Sequence, residues 1–279
     1  MIIRIARLNI LFSIVFIGAF QVLNAQETGL KGNINIFWGW NRGWFTNSDI
    51  RFQGEDYDFT LYDVQADDRQ TPFSANLYLN PANLTIPQTN FRLGYFISDH
   101  YCITGGFDHM KYVMVQDRTV KINGEIDEEE TPYNGQYDYA DIVLSDDFLQ
   151  YEHTDGLNYI NVGLNRYDRL IAIPALLTNI FFTEGADVGF LMPRTAVKLL
   201  NHELSDYFHV SGYGMSLQVG LSIIIFKVIT LRSELKGGFI HMPDVKTSNS
   251  GADKANQHFF FLQSNILFGA TIPLFVNKD

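Results

Sequence analysis

Between positions 213 and 225 every second residue is large and apolar: Tyr213, Met215, Leu217, Val219, Leu221, Ile223 and Ile225. The residues between them, Gly214, Ser216, Gln218, Gly220 and Ser222, are small or polar. A period of two over that length predicts a strand with one apolar and one polar face. The pattern recurs in 229–239 and 260–274. An all-β, closed antiparallel transmembrane barrel is written this way, with apolar side chains toward lipid and polar ones toward the lumen.

The alternation predicts eight strands. The first runs through Ile34, Ile36, Trp38 and Trp40, and the second descends through Phe91, Leu93, Tyr95 and Ile97. The others are expected at 101–115, 148–164, 176–192, 207–226, 228–242 and 260–274. Long connections at 41–87, with a hairpin-like stretch at 49–64, and at 116–145 go to the outside, as do the two later ones. Short ones at 98–100, 167–175 and Lys227 go to the periplasm. A soluble sandwich alternates too, but has no reason to make every second connection long.

Three bulk properties narrow the picture. Arg4 and Arg7 precede an uncharged apolar run, 10–20, and Leu23-Asn24-Ala25, so 1–25 is expected to be a cleaved export signal and 26–279 the barrel domain. Losing those two arginines takes the net charge from −11 to −13, which argues against a nucleic-acid partner. The one cysteine, Cys102, excludes an internal disulfide.

Eight strands enclose a cylinder about wide enough for its own side chains. Inward parity gives Asn33, Asn35, Asn90, Arg92, Asp108, Tyr159, Asn161, Asp187, Gln218, Arg232, Glu234, Lys236, Gln263 and Asn265. Three cations, Arg92, Arg232 and Lys236, balance three acids, Asp108, Asp187 and Glu234. A buried charge left alone costs several kcal/mol, so a paired polar plug is expected rather than an ion path. Glu184 breaks the pattern by falling on the lipid-facing parity, and a bulge near Gly185 is expected to turn it inward.

The chain resembles small outer-membrane barrels of the OmpA and OmpX type, as found among exported barrels of Bacteroidetes. The phrases that carry the resemblance are Asn90-Phe91-Arg92-Leu93-Gly94-Tyr95-Phe96, Asp108-His109-Met110-Lys111-Tyr112 and Glu152-His153-Thr154-Asp155-Gly156. It implies a compartment, the outer membrane, with its lipids and lipopolysaccharide as partners and other outer-membrane or secreted proteins as further ones. It implies no activity and no cofactor.

Three candidate sites remain. His209 and Ser211 form His-x-Ser at the outer end of the sixth strand, both expected to point outward, an arrangement that resembles the base and nucleophile of outer-membrane lipid acyl hydrolases. The chemistry needs a base within hydrogen-bond reach of the hydroxyl and a third group to orient that base. His241, Asp244 and Asp206 fall near, none at a compelling spacing. His153 and Asp155 share a strand face with Tyr151 and Tyr159, which predicts a rim cluster but no metal site, since metal centres usually need three or four ligands. The outer loops carry Glu55, Asp56, Asp58 and Asp63 among Tyr57, Phe59 and Tyr62, then Tyr133, Tyr137 and Tyr139 among further acids. They are the expected recognition surface of a structural or binding protein. A narrow channel for small solutes is the remaining alternative.

Overall fold

A computed structural model describes residues 29–80, 83, 87–200, 205–248 and 253–274. The expected export signal and the residues after Leu274 lie outside them. The strands, in chain order, are β1 (Asn33–Phe45), β2 (Ser48–Gln53), β3 (Tyr57–Val64), β4 (Ala66–Asp67), β5 (Thr89–Phe96), β6 (Tyr101–Met114), β7 (Thr119–Ile126) and β8 (Gly135–Val143). They continue with β9 (Leu149–Ile173), β10 (Thr178–Leu191), β11 (Arg194–Leu199), β12 (Ser205–Phe208), β13 (Gly212–Ile225), β14 (Ile229–Lys246) and β15 (Lys254–Pro273). A single turn of helix, α1 (Ala75–Tyr78), lies between β4 and β5.

Hydrogen-bonded neighbours run β1-β5-β6-β9-β10-β13-β14-β15, and β15 pairs back onto β1 from Asn33↔Pro273 to Phe45↔Phe261. That path closes a ring of eight antiparallel strands. Its outer wall keeps the predicted parity, with Leu217, Val162, Phe260 and Ile266 among the large exposed apolar residues. A ring leaves no unpaired backbone in hydrocarbon, which is the condition for β-structure to cross a membrane.

Several strands run further than the sequence predicts, β1 to Phe45, β14 to Lys246 and β15 from Lys254, and two further differences have clear physical reasons. β9 does not stop at Leu164 but continues to Ile173, so the inner connection is Pro174–Leu177 rather than 167–175. The charged run Asn165-Arg166-Tyr167-Asp168-Arg169 imitates a turn, yet Asn165 and Tyr167 face inward and are buried. The expected sixth strand is broken in two, because His209, Val210 and Ser211 lie between β12 and β13 outside any strand.

The outer connections are not open loops. β2 extends the sheet from β15, β3 pairs with β2, β7 with β3 and β8 with β7. β11 pairs with the upper part of β9. These strands enclose an apolar core that includes Ile50, Phe52, Phe59, Leu61, Ile122, Phe148, Tyr151 and Val197.

Candidate functional site

The interior is layered. At the periplasmic end Leu30, Phe96, Cys102, Tyr167, Phe181 and Ile224 form an apolar floor. Above it stand the six charged residues, and above them Tyr159, Phe261, Leu191 and Ile240 begin the apolar core that runs on into the extracellular sheet.

The middle layer brings together all six charged residues expected in the lumen. Arg92 Nη1 lies 2.5 Å from Asp108 Oδ1 and Arg92 Nη2 4.0 Å from Glu234 Oε1. Arg232 Nη2 lies 2.6 Å from Glu234 Oε2. Lys236, fully buried, places Nζ 2.8 Å from Asp108 Oδ2 and 2.6 Å from Asp187 Oδ2. Neutral donors join the network: Asn90 and Asn161 donate to Asp108, Gln218 to Asp187, and Asn265 to Glu234. Asn35 and Gln263 are buried as well, whereas Asn33 is only half-buried at the end of its strand. Room for these side chains comes from glycine: a Cβ on Gly163 would run into the Asp187 carboxylate.

Two members of the layer were not expected from sequence. Asn165 accepts from Arg232 Nη2 (3.0 Å) and from Gln218 (3.1 Å), and the Tyr167 hydroxyl accepts from Arg232 Nη1 (2.9 Å). Their signal was present as unbroken parity from Asn161 through Gly163 to Asn165 and Tyr167, hidden by the charges of Arg166 and Asp168.

Glu184 remains on the outer wall, half-exposed, so the bulge expected near Gly185 is absent; the register shift of that strand pair lies between Ile180 and Phe181 instead. Its register partner Arg166 places Nη1 3.9 Å away and is itself held by Asp168 at 2.9 Å. Lateral pairing, not rotation into the lumen, is how this wall accommodates the charge.

The His-x-Ser pair is not arranged as the alternation predicts. With no strand at 209–211 the alternation lapses, and Ser211 is buried rather than outward. Its hydroxyl donates to the carbonyl of His209 (3.4 Å), while His209 Nε2 meets Asp244 Oδ2 at 2.8 Å. The side chain of Asp206 lies outside the described residues.

His153 and Asp155 are also separated. Between His153 and Leu157 the ladder slips, with Met110↔Leu157 followed by Tyr112↔His153, and Gly156 takes φ +122°. This bulge sends Asp155 outside to Arg194 (2.7 Å) and leaves His153 buried between Tyr112 and Tyr151, with Nδ1 2.8 Å from Thr195 Oγ1. Nor are all the loop aromatics a contact surface. Tyr57 and Phe59 are buried in the extracellular core, where burial pushes the Tyr57 phenol up to about 12. Asp58 turns out to Arg51 (2.7 Å), whose guanidinium holds that carboxyl below its ordinary value. What the surface does show is Tyr139, stacked on Tyr62 at 5.0 Å, on β8, which among the described residues pairs on one side only.

A closed antiparallel ring with an apolar outer wall and a charged interior is an outer-membrane barrel. No protein-family model matches the chain, and no curated protein sequence matches it. Among solved structures it is similar to the outer membrane protein OprG from Pseudomonas aeruginosa, at 9% identity over 87% of this chain and 96% of that one, with a TM-score of 0.41. It is similar to the outer membrane protein AlkL in DMPC lipid bilayers, at 11% identity over 91% and 96% with a TM-score of 0.37. Neisserial surface protein A gives 11% identity over 86% and 97%, with a TM-score of 0.33. These likenesses are of fold alone.

Proposed function

We propose that the barrel is sealed along its axis and works on its extracellular side, as a structural or binding protein that holds a folded β-sheet above the outer membrane, alone or as a subunit of a larger complex there. The layering of the interior carries this reading. An ion-paired middle between two apolar layers, in which every charge has a partner within 4.0 Å, supports an axis closed to solutes.

The binding face is the free edge of the extracellular sheet. β8 has a neighbour in β7 and, among the described residues, none on its other side, and it presents Asp138, Tyr139 and Asp141. An unpaired edge accepts an added strand through its backbone, while flanking aromatic residues supply contact area. The partner of such an edge is an extended segment of another exported protein with a basic residue facing Asp138, Asp141 being paired with Lys121 (2.7 Å).

A photo-reactive residue at Tyr139 on intact cells is expected to yield one discrete cross-linked protein, and the same probe at the buried Ile122 none. No adduct from Tyr139, or the same adduct from both positions, contradicts the edge as a binding surface.

A further inference from the structure

On the outside of the ring, β1 and β15 present Trp40, Arg42 and Ile266 toward lipid, and the chain after β4 folds down over them. Gln70, Thr71, Pro72, Phe73 and Tyr78 form the outer wall of a crevice of about 390 Å³ whose inner wall includes Trp40 and Ile266. The crevice is a built feature. Tyr78 donates its hydroxyl to the Thr71 carbonyl (2.5 Å) and packs its ring against Trp40 (5.7 Å) and Phe73 (5.2 Å). Gln70 donates to the Asn41 carbonyl (2.9 Å), and Lys111 Nζ reaches Thr71 Oγ1 (3.2 Å).

Arg42 is the feature that asks for an explanation. It alternates outward with Trp40 and Trp44 on a lipid-facing strand, and a cation there is costly unless it meets an anion. Asp68 beside it is one such anion and feels the Arg42 charge, but its carboxylate is shared, accepting also from the Gly43 N–H (2.9 Å) and from Gln88. Phe73 and Leu79 on the covering segment are both largely exposed, at 78% and 62%, as expected of side chains immersed in acyl chains. The space is therefore walled mainly by apolar side chains, with Gln70, Thr71 and Ser264 among them, and cationic at its rim.

We infer that this crevice binds an anionic, acylated lipid of the outer leaflet, one acyl chain lying against Trp40, Phe73, Tyr78 and Ile266 and a phosphate meeting the Arg42 guanidinium. A planar guanidinium matches phosphate oxygens in a bidentate fashion. The indole and phenol rings supply the flat apolar surface on which a chain is held.

The three tryptophans make the test direct. With Trp38→Phe and Trp44→Phe, Trp40 is the sole indole, and the full chain is placed in phosphatidylcholine bilayers containing a minor fraction of brominated-chain lipid. Brominated phosphatidylglycerol is expected to quench Trp40 about fivefold more effectively than brominated phosphatidylcholine, the size of one basic residue's attraction to an anionic lipid. Arg42→Gln should equalise the two, and Arg42→Lys, which keeps the charge, should retain most of the preference; unchanged heat-modifiable gel mobility verifies that each variant is folded. Equal quenching in the Arg42 protein, or a preference that survives Arg42→Gln, overturns the inference. So does a preference abolished by millimolar inorganic phosphate, which would make this a site for free phosphate.

Discussion

Replacing Lys236 by methionine is expected to lower the stability of the barrel by about 3–5 kcal/mol, the usual cost of removing one partner from a buried ion pair. The ammonium touches both Asp108 and Asp187. Without it Asp108 keeps Arg92 and its asparagines, but Asp187 is left with Gln218 and Ser216. The loss should be read as a shift of the urea unfolding midpoint in detergent micelles. Lys236→Met combined with Asp187→Leu should recover most of it, because apolar replacement of a whole buried pair is often neutral. A loss below about 1 kcal/mol for the single variant would mean that the layer is hydrated, since that is the scale of solvated ion pairs.

The second large effect lies outside the membrane. Phe59 is buried against Phe52 (5.3 Å), Tyr57 (5.9 Å) and Phe148 (5.9 Å) in the core that joins β2, β3 and β7 to the ring. Phe59→Ala deletes an aromatic ring from a packed site and should cost about 3–5 kcal/mol of local stability. The ring of eight strands does not depend on that contact. Protease added to intact cells is therefore expected to cut the extracellular hairpins of Phe59→Ala while the remaining barrel keeps its heat-modifiable gel mobility. Equal protease resistance in both proteins would show that the sheet is held by something other than this core.

Much of the ring was legible because lipid enforces a strict rule. Each residue from Tyr213 to Ile223 had to be apolar or polar according to the side it faces, so parity alone located the strands and the six charged lumen residues. Where the lipid rule lapses, so does the reading. Above the membrane, the bulge at Gly156 uncoupled Asp155 from His153, and the break at 209–211 turned Ser211 inward; both depend on register, which a single strand does not reveal. In the outer connections, apart from the hairpin-like stretch at 49–64, the strands are hidden because their apolar residues are spaced among carboxylates. Tyr57, Phe59 and Leu61 alternate with Asp58, Thr60 and Tyr62, which is again a strand with one buried face, now against protein rather than lipid. For Glu184 the compensation comes from Arg166 across the strand pair, a partner that the sequence of one strand does not reveal.

The central claim, a sealed ring with lipid outside and a dry ion-paired layer inside, is tested most directly by a spin-label scan of β13 from Tyr213 to Ile223 in bilayers, in a Cys102→Ser background. The account predicts that labels at Tyr213, Met215, Leu217, Val219, Leu221 and Ile223 relax with lipid-soluble oxygen, and that those at Ser216, Gln218 and Ser222 respond neither to oxygen nor to a water-soluble nickel chelate. Loss of the alternation, or ready access of the chelate to Gln218, would contradict it.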